Sequence, residues 1–241
     1  DSMSELHLID SGVLTLGCGD LQAPPLFELI QDDGTRPGYE PMAAALVAAQ
    51  LGLLIDWVPL EWSDFYPALH EGRVDAIWCG QGITPARQQM ADFTRPYAVF
   101  NESLVTRRER TVSNPLECAG LRIGAIAAST NMTLTETFPG VIPVAFDGAT
   151  SDVFGDMIAA TRSGEIDGFV DDDVVMVPLD EDPELRLAFT IETRNQWGIA
   201  VRRGDIDLLN ALDGALGRII DNGSLAEVWQ AHMPDLPWPL G

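Results

Sequence analysis

The chain has 241 residues, 46% of them apolar, and its 37 acidic side chains against 14 basic ones leave a formal net charge of −23. A surface so acidic argues against a nucleic-acid partner, which demands a basic face. Every basic residue is an arginine, so Schiff-base, P-loop and general-base lysines are excluded, and no apolar run reaches the roughly 18 residues of a membrane span.

The opening, Asp1 to Leu6, is polar and carries no signal peptide. Val13 to Leu16 reads as a strand running into the turn Gly17-Cys18-Gly19-Asp20. Gly38 to Leu51 reads as a helix, with Pro41 early and Gly52 just past its end. Leu53 to Leu60 is a second strand. Ser63 to His70 is a short helix with Ser63 as its cap, and Val74 to Trp78 is a third strand. A glycine-rich turn, Gly80-Gln81-Gly82, then leads to Thr84-Pro85, a helix cap followed by a residue suited to the first helical position. Arg87 falls one turn in. Alternating strands and helices of this length predict a mainly parallel sheet with helices on its faces.

After Val105 to Gly120, a charged, Pro-containing stretch that reads as a linker between two units, the pattern restarts. Leu121 to Ile126 is a strand, Ser129-Thr130 opens a helix, and Val141 to Phe146 is a strand. Ser151 to Ser163 is a helix, and Ile166 to Val170 is a strand ending in Asp171-Asp172-Asp173. A strand containing Gly198 and two helices, Asp205 to Asp221 and Ser224 to His232, close the chain. They have no sheet of their own and are expected to return to the first unit. The expected division is therefore 1–105 plus 197–241 for one lobe and 106–196 for the other.

Cys18, Cys79 and Cys118 are far apart and show no metal spacing, and His7, His70 and His232 are scattered. Buried free thiols are the expected state. No metal site, cofactor or catalytic residue is expected.

Several motifs stand in one order: Gly38-Tyr39-Glu40, Trp62, Gly72 to Ala76, Thr84-Pro85-Ala86-Arg87, Asp92 to Tyr97, Gly120 to Gly124, Ser129-Thr130, Gly164 to Gly168, Asp172, Trp197 to Val201 and Asp221-Asn222-Gly223. In this order they resemble family 3 of the bacterial extracellular solute-binding proteins, the amino-acid receptors of ABC importers. The resemblance spans Gly12 to Met233. It implies an α/β chain of the two-lobe, type II periplasmic-binding-protein fold, with two strands joining the lobes and the ligand held between them. It also implies an extracellular or periplasmic, monomeric protein whose partners are a permease and an ATPase, with membrane contact only through them or through a lipid anchor. The end of the chain, Pro234 to Gly241, reads as that of a complete protein.

The resemblance assigns residues as well. Arg87 would grip an α-carboxylate, helped by Gly80, Gly82, Thr84, Ser129 and Thr130. Asp172 would hold the α-ammonium, and Trp62 would pack over the ligand. Asp20 reads either as a turn residue or, as in relatives for basic amino acids, as a reader of the side chain, with Gln81 and Asn131 as further readers. Arginine's planar fork and a helix N-terminus suit an anion on physical grounds alone. The chain departs from the family at Leu26, Gln81 and Ala128, all toward the side-chain end of the site. The function expected is capture of a polar α-amino acid, cationic or amide in its side chain, without chemistry. The alternatives are a cyclohexadienyl dehydratase, for which Glu61 or Asp173 would supply the acid, and the ligand-sensing domain of a receptor.

Overall fold

The computed structural model of the chain describes residues 6–241; the polar opening noted above falls, apart from Leu6, outside them. In chain order the elements are β1 (Val13–Cys18), α1 (Tyr39–Leu51), β2 (Leu54–Pro59), α2 (Phe65–His70), β3 (Ala76–Ile77), α3 (Pro85–Gln88), β4 (Asp92–Phe93) and β5 (Ala98–Arg107). There follow β6 (Arg122–Ile126), α4 (Thr130–Thr135), β7 (Ile142–Phe146), α5 (Val153–Ser163), β8 (Gly168–Asp172) and α6 (Asp173–Met176). The chain closes with β9 (Leu185–Trp197), β10 (Ala200–Val201), α7 (Ile206–Asp221) and α8 (Ser224–His232).

Two compact units result. One runs to Val99 and resumes at Asn195–Gly241; the other is Phe100–Arg194. The chain passes between them twice, within β5 and within β9. Each unit has a mixed five-stranded sheet, ordered β2-β1-β3-β10-β4 in the first and β7-β6-β8-β5-β9 in the second. Strands β2, β1 and β3 are parallel, and β10 is inserted antiparallel between β3 and β4. In the second sheet β7, β6 and β8 are parallel, and β5 runs antiparallel to β8. Ligand sites of such sheets lie beyond the carboxyl ends of the parallel strands. Those ends are Cys18 and Ile77 in the first unit, Ile126 and Asp172 in the second.

The strands form because apolar runs can be buried on both faces. In β1, Leu14, Leu16 and Cys18 on one face are all 0% exposed, and Thr15 on the other is 4% exposed. The alanines of α1 give a smooth apolar face on which α7 and α8 pack. Gly52 ends α1 in the left-handed region, φ 67°, its N–H returning to Ala48 and Ala49 carbonyls.

Three local expectations change. β3 is two residues long rather than five; single backbone bonds flank it, from the Asp75 N–H to the Thr15 carbonyl at 2.8 Å and from the Trp78 N–H to the Gly17 carbonyl at 3.1 Å, while the Asp75 carboxylate takes the Thr15 N–H at 2.8 Å and the Ile9 N–H at 3.0 Å. The helix expected from Ser63 begins as a 3-10 turn at Trp62–Asp64 and becomes α-helical only at Phe65, with no side-chain cap. The stretch after Val105 is built into the second unit: β5 continues to Arg107, and Cys118 is fully buried. All three cysteines are free and buried.

Candidate functional site

In the first unit the site is a loop and the helix it feeds. Beyond β3 the backbone turns at Gly80, φ 58°, where an added Cβ would stand 3.5 Å from the Trp197 ring. The Gly80 N–H points backward and donates to Glu40 Oε2 at 2.9 Å. Gly82 makes an antiparallel bridge with Trp197, and the Ile83 N–H donates to the Gln196 carbonyl at 2.8 Å. The loop is thus pinned on both sides.

Thr84 caps α3 as its sequence predicts: its Oγ1 accepts the Arg87 N–H at 3.2 Å, and Pro85 takes the first helical position. The helix has only four residues, so its macrodipole is small. What remains for an anion is the arginine itself. Arg87 Nη1 donates to the Gly82 carbonyl at 2.8 Å, which fixes the guanidinium plane; no other hydrogen bond of the guanidinium occurs among the described residues. Gln81, by contrast, is 1% exposed, with its amide oxygen accepting the Tyr66 hydroxyl at 2.7 Å and its amide nitrogen donating to the Cys79 carbonyl at 2.9 Å. Its side chain serves the loop's own structure. Asp20 lies exposed in the loop after β1, and Trp62, 55% exposed, rests on Phe65 with ring centroids 5.0 Å apart.

In the second unit the carboxyl ends of β6 and β8 gather polar groups. Ser129 caps α4, accepting the Met132 N–H at 3.1 Å, while its own hydroxyl donates to the Ile126 carbonyl at 2.6 Å. Thr130 is exposed at the helix start. Asn131 is buried and donates to Asp171 Oδ1 at 3.4 Å. With its amide turned over, it instead donates to Glu102 Oε1 at 2.7 Å and Asp172 Oδ1 at 3.2 Å. Glu102 stands opposite Asp172 in the β5–β8 register. Asp171 and Asp173 flank Asp172, both buried, and Asp173 Oδ1 has no hydrogen-bond partner.

Four carboxyls so placed cannot all be ionised cheaply. Burial pushes Asp171 and Asp173 each up to about 6, and Glu102 adds repulsion to both. Burial also drives Asp172 well above the usual carboxylate range, with Asp171, Glu102 and Asp173 repelling its charge and Asn131 partly offsetting them. Such a cluster favours a cation in its midst. Among the described residues no group of three or more His, Cys, Asp or Glu side chains has a metal-binding arrangement.

Arg87, Gly80, Gly82 and Thr84 therefore lie together in one unit, and Ser129, Thr130, Asn131 and Asp172 in the other. The match to the bacterial extracellular solute-binding proteins, family 3, runs over residues 16–235. The chain belongs to this family. Its family 3 relatives include the L-cystine-binding protein TcyJ of Escherichia coli K12, 27% identical over 94% of this chain and 89% of that one. Among solved structures, an ancestral arginine-binding protein bound to arginine matches with a TM-score of 0.74 at 23% identity, over 92% of this chain and 98% of the other. The ancestral amino-acid-binding protein AncCDT-1, described as a precursor of cyclohexadienyl dehydratase, matches with a TM-score of 0.76 at 20% identity, over 96% and 99%. The fold is the type II periplasmic-binding-protein fold. No helix among the described residues is long and apolar enough to cross a membrane.

Sequence reading did not single out Glu102 as a site residue. Glu102 carries one weak signal, an acid at the centre of the polar triplet Asn101-Glu102-Ser103, with apolar residues on either side of it in the strand. Its place beside Asp172 depends on an antiparallel register that no local pattern encodes.

Proposed function

We propose that the chain is the substrate-binding subunit of an ABC importer, and that it captures a polar α-amino acid with groups from both units by closing on it, without chemistry. The observation that carries this reading is Arg87, held in plane by the Gly82 carbonyl with the rest of its fork undirected. Such a fork fits a carboxylate in two places. Asp172 and its neighbours supply the complementary demand for an ammonium. Together they match the two ends of a zwitterion. Gly80, Gly82, Thr84, Ser129 and Thr130 would complete the carboxylate's shell, while Asp20, Trp62 and Asn131 would meet the rest of the ligand. Partners would be a permease and an ATPase, at the outer face of a membrane.

A thermal-shift screen of the twenty standard amino acids, L-cystine, ornithine, citrulline and ectoine tests this directly. A ligand at a hundred times its Kd stabilises by about 2.7 kcal/mol, which in a chain of this size raises Tm by roughly 5–10 °C. No response to any of them would overturn the amino-acid reading. Prephenate and arogenate belong in the same plate, with their consumption followed in parallel. Turnover of either would make the chain a dehydratase instead.

Trp62 and Asp20 separate ligand roles from structural ones. Because Trp62 is 55% exposed, Trp62→Ala should change stability by less than about 1 kcal/mol. If the ring covers a cationic side chain, the same substitution should weaken that ligand by roughly 2- to 30-fold. Asp20→Asn should weaken arginine or ornithine more than glutamine, as titration calorimetry would show. Equal effects on all three would return Asp20 to a turn residue.

A further inference from the structure

Two buried charges lie behind the ligand loops of the first unit, on the short segment leading into α1. Arg36 is 6% exposed, with its guanidinium 4.6 Å from the centroid of Phe27 and 5.7 Å from that of Trp57. Its Nη2 donates to the Gly19 carbonyl at 2.6 Å and the Leu21 carbonyl at 3.4 Å, and its Nε to the Glu28 carbonyl at 2.7 Å. It therefore grips the backbone on both sides of Asp20. Glu40 follows on the first turn of α1 and is 1% exposed. Its Oε2 accepts from the Gly80 N–H and from the Tyr97 hydroxyl, and its buried Oε1 has no hydrogen-bond partner. Gly38, between the two, has φ 125°, and a Cβ there would fall 2.4 Å from the Leu26 carbonyl oxygen. Backbone bonds tie the segment down between its two anchors: the Glu28 N–H donates to the Pro37 carbonyl at 2.9 Å, and the Tyr39 and Glu40 N–H groups donate to the Pro25 and Leu26 carbonyls at 2.9 and 3.0 Å.

We infer that Glu40 is a positioning residue of the Gly80–Gly82 loop, that its charge is coupled to the capture of an anion by that loop, and that Arg36 braces the neighbouring loop and biases the same charge. This rests on the reading that the loop and Arg87 hold a carboxylate. The Glu40 carboxyl stands one hydrogen bond behind the loop. A carboxylate arriving in front is a like charge in a water-poor setting, where repulsion is weakly screened. A proton on Glu40 removes that repulsion while both hydrogen bonds to Oε2 persist. Burial pushes Glu40 up to about 7, with Tyr97, Gly80 and Arg36 pulling it back. The other groups facing it stay neutral there: Cys18 and Cys79 are raised by burial to about 11 and about 12, and Tyr39 and Tyr97 are raised further by burial and by Glu40 itself. Arg36 is thus the one cation acting on Glu40 among these groups, and anion capture should take up a proton near neutral pH.

The test follows the Gly80 amide in 15N–1H spectra of the ligand-free protein from pH 5.5 to 8.5. Wild type should show it titrating with a midpoint near 7, Glu40→Gln should abolish the titration, and Arg36→Met should move the midpoint upward. Calorimetric titration with L-arginine and with L-cystine forms the second arm. For whichever binds, the ratio of the Kd at pH 8 to the Kd at pH 6 should be at least threefold larger in wild type than in Glu40→Gln, because the acids around Asp172 titrate alike in both. A Gly80 amide that does not titrate in wild type, or a Gln variant whose profiles superimpose on it, overturns the inference. The spectra need neither variant nor ligand to do so. If no amino acid binds while the amide titrates as expected, the positioning role stands and it is the carboxylate reading, with its coupling, that fails.

Discussion

Arg87→Ala is expected to weaken amino-acid binding by roughly 30- to 4,000-fold, the equivalent of about 2–5 kcal/mol for truncating one member of a desolvated charge pair. Arg87→Lys should recover only part of the loss, since an ammonium cannot make two parallel contacts with a carboxylate. The fold should survive both changes. Among the described residues the side chain makes a single hydrogen bond, to the Gly82 carbonyl, and the cap on α3 uses the backbone N–H of Arg87, which alanine retains. Calorimetry on the three proteins, with the ligand that emerges from the thermal screen, decides the matter. An alanine variant that binds within about threefold of wild type, less than about 1 kcal/mol, would put the carboxylate elsewhere.

Acidification from pH 7.5 to 5.5 should stabilise the protein, the reverse of ordinary acid denaturation. The sign follows from burial. Glu40 moves from 4.5 when unfolded to about 7 when folded, and Asp171 and Asp173 from 3.8 to about 6 each. A carboxyl with a raised folded value contributes stability that is fully present below its unfolded value and is lost as pH rises through the folded one. The window is therefore about pH 4 to 7. Glu40 alone should contribute about 2 kcal/mol between pH 7.5 and 5.5. The partly exposed acids Asp64, Asp182 and Asp213 are lowered instead by hydrogen bonds to arginines, and act only in more acid solution. Melting curves at four pH values would check this. A Tm that is flat or falls on acidification would mean that water reaches these carboxyls, and Glu40→Gln should flatten the rise in part.

Much of this was legible in the sequence because the signals are local. A threonine before a proline predicts a capped helix, and Thr84 makes that cap. A strand running into three aspartates predicts a carboxylate group at a sheet end, and β8 ends there. What escaped was long-range or compensatory. The apparent five-residue strand is only two residues long, and the Asp75 carboxylate beside it bonds Thr15 and Ile9, sixty and more positions earlier. Trp62 falls in a 3-10 turn because nothing caps a helix at Ser63. Gln81, expected as a further reader of the ligand side chain, also bonds Tyr66, a partner fifteen positions earlier that no local pattern announces. Glu40 was visible as part of a motif, but its link to Gly80, forty positions on, exists only once both are placed in three dimensions.

The insertion of β10 between β3 and β4 also dictates an order of events during synthesis. The second unit is one unbroken stretch, Phe100–Arg194, whereas the first needs residues from both sides of it. As the chain emerges, β3 and β4 must wait, with the slot between them vacant, until Ala200 and Val201 arrive. At about 5–20 residues per second that wait is on the order of ten seconds. The later-begun unit can thus be finished first, and for that interval the nascent chain carries two unpaired strand edges, the kind of surface on which misassembly starts.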